Sequence, residues 1–99
     1  MKRILLLADI HANTPALAAV VQDVGVVDAV VNAGDIVDYG PWPLEAVAAV
    51  RELQGITVMG NHDRDCATGT AVGYNPYAMA SCRWTYNELP VAENLYLRQ

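Results

Sequence analysis

Ile4-Leu5-Leu6-Leu7-Ala8-Asp9-Ile10-His11 opens the chain with an apolar run that stops on a carboxylate and an imidazole. A run from Ile4 to Ala8 is short enough to predict a strand buried on both faces, as in a parallel sheet. Thr14 then caps a helix with Pro15 at its first position, and Leu17, Val20, Val21 and Val24 recur at helical spacing until Gly25 stops it. The pattern repeats: Ala29 to Ala33 reads as a strand, Pro43 to Leu53 as a helix, and Ile56 to Met59 as a third strand. Glu45 and Glu52 mark the narrow wet stripe of that second helix, and Gly55 sits where its C-terminal turn favours positive φ. The succession predicts an α/β fold on a parallel βαβαβ unit with right-handed crossovers.

Beyond the third strand, Cys66 to Asn75 is rich in Gly and Thr and reads as a loop. Asn75-Pro76 opens a helix to about Leu89, with Met79, Cys82, Tyr86 and Leu89 along one side. Pro90 interrupts, and Val91 to Leu97 forms a last short helix. With no linker or low-complexity segment, residues 1–99 are expected to form one domain.

Composition narrows the function. The chain has 54% hydrophobic and 17% charged residues, enough apolar content to exclude disorder. Its net charge of -5 comes from 11 acids against 6 bases, and Asp9, Asp35, Asp38 and Asp63 all fall inside the motifs described next. The acidity therefore belongs to a site, which argues against a nucleic-acid partner and for a cation-binding cluster. The apolar start is broken by Asp9 before it matches a secretory leader, and no run approaches the ~20 residues that span a bilayer, so no membrane partner is expected. Cys66 and Cys82 match neither a Cys-x-x-Cys pair nor a disulfide framework, and predict reduced thiols in a cytoplasmic protein, Cys82 as a small core residue.

Each strand is followed by a chemically distinctive loop: Asp9-Ile10-His11, Gly34-Asp35-Ile36-Val37-Asp38-Tyr39-Gly40, and Gly60-Asn61-His62-Asp63. Asp9 to Asp35 and Asp35 to Asn61 are both steps of 26 residues, so each motif occupies the same point of its own strand-helix unit. In an open parallel sheet all three emerge at the carboxyl edge, where such folds bind ligands. Singly, each is compatible with a turn or a helix cap. Together they suit two divalent cations: Asp9 and His11 on the first, Asn61 on the second, and Asp35 bridging both. Ligation by oxygen and nitrogen without thiolate favours manganese, iron, cobalt, nickel or zinc over a calcium cage. Ions ~3.5 to 4 Å apart can hold a bridging hydroxide and clamp a phosphoryl group. No glycine-rich nucleotide fingerprint follows any strand.

These three blocks resemble the signature of the calcineurin-like metallophosphoesterases, and all three are intact. Tyr39-Gly40-Pro41 and Arg83-Trp84-Thr85 are similar to a bacterial branch of that family containing phosphodiesterases and phosphatases, and the resemblance spans essentially the whole chain. It implies a hydrolase of phosphate-ester small molecules or nucleotides, with two metal ions (manganese first) held by Asp9, His11, Asp35 and Asn61. His62 would be the proton donor or charge stabiliser at the leaving oxygen, oriented by Asp38, and Asp63 would brace its loop. The family's later histidine blocks, ending in Gly-His-x-His, have no counterpart, since no histidine follows His62. The resemblance therefore implies the N-terminal part of a two-sheet α/β sandwich, a parallel βαβαβ half followed by C-terminal helices. Such a fragment is expected to bind metal weakly, to turn over little substrate and to self-associate through uncovered apolar surface. The competing readings are a noncatalytic interaction module on the same fold and a dinuclear hydrolase of another kind.

Overall fold

A computed structural model describes residues 2–70 and 73–99. Three strands, β1 (Ile4–Leu7), β2 (Ala29–Asn32) and β3 (Ile56–Thr57), form a parallel sheet in the order β1-β2-β3. Helices α1 (Thr14–Val24) and α2 (Pro43–Glu52) connect them, and α3 (Asn61–Thr68), α4 (Pro76–Glu88) and α5 (Val91–Leu97) follow. The fold is α/β, as the succession of patterns requires.

The strand order explains one departure from expectation. Parallel strands added stepwise in one direction by crossovers of one hand place their helices on the same side of the sheet. α1 and α2 accordingly pack against each other, and only one sheet face is covered. Leu5 and Leu7 are buried under the helices, whereas Ile4, Leu6, Ile56 and Val58 on β1 and around β3 are 64%, 69%, 69% and 59% exposed. The first strand is thus buried on one face, not both. Leu5, Leu7, Leu17, Ile36, Val37, Val47, Val50, Leu89 and Leu97 share one core cluster with both cysteines.

Local chemistry fixes the ends of the elements. The cap of α1 is Asn13, not Thr14: its side-chain oxygen accepts from the Ala16 amide at 3.2 Å, and Thr14 and Pro15 lie inside the first turn. Asn75 caps α4 in the same way through the Ala78 amide at 2.9 Å. After α2 the positive φ falls on Gln54 (53°), not on Gly55. Gly55 is needed for a different reason, since a Cβ there would collide with the Val30 carbonyl of the neighbouring strand. Arg3 donates to the Val24 and Val26 carbonyls, both at 2.9 Å, tying the start of β1 to the end of α1. Arg51 lies 4.7 Å above the Tyr96 ring and joins α2 to α5.

Two further expectations need correction. Residues 61–68 form a helix that begins inside the third motif, so the loop expected from Cys66 starts at Gly69, whose φ of 70° closes α3. Its Ala71-Val72 portion lies outside the described residues. Cys66 and Cys82 are joined as a disulfide rather than free, with Cα atoms 4.8 Å apart and both side chains buried. Their spacing gave no hint of this because the pairing depends on α3 and α4 lying side by side. The inference of a reducing compartment drawn from free thiols falls with it. Cys82 does lie in the core, as expected. Among the described residues no helix is long and apolar enough to cross a membrane.

Candidate functional site

The loops after β1 and β2 are stitched together by backbone hydrogen bonds that continue beyond the sheet. The amides of Asp9, His11 and Ala12 donate to the carbonyls of Gly34, Asp35 and Ile36 at 3.0, 2.9 and 2.7 Å, and the Gly40 and Trp42 amides return to His11 and Ala12. The third loop joins through side chains. Asp35 Oδ1 accepts from the His62 amide at 3.1 Å, while Asp63 accepts from the Val37 amide at 3.0 Å and the Gly60 amide at 3.1 Å. Asp63 is fully buried, and desolvation raises its pKa against the opposing pull of those amides. It therefore braces two loops and faces no solvent.

Close approach of these loops depends on glycine at two points. A Cβ on Gly34, whose φ is 107°, would lie 2.5 Å from the Gly60 nitrogen, and one on Gly60 would collide with the Asp35 carboxylate. Asp9, His11, Ala12, Asp35, Asp38 and Tyr39 all adopt positive φ, between 47° and 80°. Such conformations cost non-glycine residues energy and concentrate where function requires a fixed geometry. Outside these two loops only Gln54 shares the feature among the described non-glycine residues.

The side chains sequence reasoning singled out converge at this edge. One ligand atom from each of Asp9, His11 and Asp35 lies within 4.8 Å of the others. His11 Nδ1 is 3.0 Å from the Val37 carbonyl, which can only accept, so Nδ1 carries the proton and Nε2 keeps a free lone pair 3.9 Å from Asp9 Oδ1. This donor set fits a divalent cation with nitrogen and oxygen ligands. Asn61 makes no hydrogen bond to those three. It sits at the first turn of α3, and its Nδ2 donates to the Tyr74 hydroxyl at 2.9 Å.

His62 and Asp38 form the tightest polar pair, with Nδ1 and Oδ2 2.7 Å apart. Asp38 is fully buried, and its other oxygen accepts from Ser81 Oγ at 2.6 Å and the Tyr39 amide at 2.8 Å. With Oδ2 accepting from His62 Nδ1, Nε2 becomes the atom free to exchange a proton. Asp38 also lies beside the two sulfurs, but their covalent bond leaves no thiolate for metal ligation. Aromatic rings enclose the histidines: Tyr74 stacks on His62 at 5.0 Å and 13°, Tyr39 meets His11 edge-on at 5.0 Å, and the two imidazoles are 5.2 Å apart. Desolvation, then donation to Asp65, raises the Tyr74 pKa above its ordinary value of 10.0. Beside Asn61 opens a cavity of about 470 Å³ lined in part by Arg64 and Arg98.

Tyr74 and Ser81 were not foreseen. Neither belongs to a strand-end motif, and only the return of the chain through α3 and α4 brings them to the site.

Residues 2–98 match the calcineurin-like phosphoesterase family, and the chain belongs to it. It is 45% identical to a metallophosphoesterase from Sphaerobacter thermophilus of known crystal structure, superposing over 97% of this chain and 40% of that one with a TM-score of 0.82. Protein PH1004 of Pyrococcus horikoshii, 22% identical, shares the fold over 100% of this chain and 48% of its own, with a TM-score of 0.87. Protein MJ0912 of Methanocaldococcus jannaschii is 36% identical over 85 residues, 83% of this chain and 35% of that protein. The chain thus spans less than half the length of each of these relatives.

Proposed function

We propose that this chain supplies the first part of a dinuclear metal-dependent phosphoesterase acting on a phosphodiester or phosphomonoester, a small molecule or nucleotide. Asp9 and His11 hold one divalent cation, Asn61 holds a second, and Asp35 serves both. Manganese is the first candidate and iron, zinc, cobalt and nickel the alternatives, given ligation by oxygen and nitrogen alone. When bound, such ions activate water and neutralise charge on the phosphoryl oxygens. His62 delivers a proton from Nε2 to the leaving oxygen, and Asp38 fixes the imidazole tautomer and stabilises its charged form.

The observation that carries this reading is the 2.7 Å pair between His62 and a fully buried Asp38 at the rim of the Asp9, His11 and Asp35 cluster. A polar pair built on a buried carboxylate contributes little to stability against a well-packed apolar replacement, so chemistry explains it better than packing does. A noncatalytic interaction module would derive nothing from it.

The test is a metal titration of the complete gene product. Asp35→Asn should weaken Mn²⁺ binding by about 10-fold or more, a larger loss than Asn61→Ala, because a carboxylate shared by two cations loses its charge toward both. Equal or smaller loss would contradict the bridging role. Residues 1–99 by themselves should self-associate through Ile4, Leu6, Ile56 and Val58. Sedimentation velocity should show mass rising with concentration, and Leu6→Lys with Val58→Lys should abolish the rise. A monomer at every concentration would show that the bare face is tolerated.

A further inference from the structure

An asparagine serving a cation must present its amide oxygen, and the two ends of the amide are nearly alike in size. What distinguishes them is the hydrogen bond each makes. Asn61 Nδ2 donates to the Tyr74 hydroxyl at 2.9 Å, and that hydroxyl donates to Asp65 Oδ2 at 2.7 Å. The sequence of donors is dictated from its far end. An ionised carboxylate only accepts, so the single phenolic proton goes to Asp65, and the phenol oxygen then accepts from Asn61. An accepting oxygen takes the NH₂ end of the amide. Oδ1 is left without a partner among the described residues. The same Tyr74 ring stacks on His62, with centroids 5.0 Å apart and planes inclined by 13°.

We propose that Tyr74 is a positioning residue for the metal site: the relay from Asn61 through Tyr74 to Asp65 sets the direction of the Asn61 amide, so that its oxygen is the atom offered to a cation. Asp65 acts at one remove, as the acceptor that polarises the phenol. α3 supplies the relay's first and last members, Asn61 and Asp65, one helical turn apart on the same face, and Tyr74 bridges them. The inference rests on the assignment of Asn61 as a ligand.

The experiment uses the complete gene product and two readouts, Mn²⁺ affinity by titration and the side-chain ¹⁵N–¹H resonances of Asn61 in metal-free protein. Tyr74→Phe keeps the stacked ring and removes only the hydroxyl. It should weaken Mn²⁺ binding about 10-fold, the usual scale for loss of a group that orients a ligand, and bring the Asn61 NH₂ resonances to the exchange behaviour of a solvated amide. Asp65→Asn should weaken binding similarly, because an amide at 65 can donate to the phenol and release its proton toward Asn61 Oδ1. Introduced into Asn61→Ala, Tyr74→Phe should cost nothing further; an additive loss would assign Tyr74 a general structural role and overturn the relay. If Asn61→Ala weakens binding and Tyr74→Phe does not, the relay fails alone. If Asn61→Ala leaves Mn²⁺ affinity unchanged, or no variant and no wild type binds Mn²⁺, the ligand assignment fails and the relay with it.

Discussion

Replacing His62 with Ala in the complete gene product is expected to lower kcat on a generic aryl phosphodiester by about 10² to 10⁴ while metal content stays at the wild-type level. The expectation follows from the division of atoms at the site. His62 presents Nδ1 to a buried carboxylate, which leaves Nε2 outside that bond, and its backbone amide is the group that donates to Asp35. Alanine retains that amide, so the Asp35 carboxylate keeps its partner. Asp38→Asn should give a loss of the same kind by another route. The remaining oxygen at 38 would stay with Ser81 and the Tyr39 amide, turning the new NH₂ toward His62 Nδ1. The imidazole would then carry its proton on Nε2 in the neutral form and lose the anion that stabilises its charged form. Metal analysis beside the kinetics decides the matter: loss of both metals along with activity would make His62 a ligand or a structural residue.

The second large effect concerns stability. Joining Cys66 to Cys82 closes a loop of 16 residues, and a bridge of that span stabilises by about 3 kcal/mol, chiefly by restricting the unfolded chain. Cys66→Ser with Cys82→Ser, or reduction of the native protein, should therefore lower unfolding stability by about that amount in a denaturant titration. The bridge also ties α3, which carries His62, to α4, which carries Ser81, and both side chains hold Asp38. Activity should fall with the bridge even below the unfolding transition. Peptide mapping of unreduced protein should find Cys66 linked to Cys82, and both as free thiols with an unchanged denaturation midpoint in the double variant would sink the expectation.

Much of the architecture is written in local pattern. β1, α1, β2, α2, α4 and α5 each announce themselves through apolar period or a Pro and Asn boundary, and the 26-residue steps place three motifs at one edge. What escaped depends on the third dimension. α3 hides because Asn61 to Thr68 has no apolar stripe; it is held by buried Asp63, Cys66 and Ala67 and by the Asp63 hydrogen bond to Gly60 at its N-terminus. The one-sided sheet follows from strand order, which periodicity does not encode. Asn13 and Thr14 are both good caps, and only the Ala16 amide distinguishes them. Of the candidate site, Asp9, His11, Asp35, Asp38, Asn61 and His62 could be singled out in the sequence because chemistry-bearing residues at strand ends share an edge. Ser81 and Tyr74 arrive from segments with no such address, and their contribution is visible only as hydrogen bonds and, for Tyr74, a ring stacked on His62.

The most direct measurement is an anomalous-scattering map from Mn²⁺-soaked crystals of the complete gene product. Two peaks ~3.5 to 4 Å apart, with Asp35 between them, Asp9 and His11 on one and Asn61 Oδ1 on the other, are the predicted result. A single peak away from Asp35, or none at the carboxyl edge, would contradict the dinuclear site.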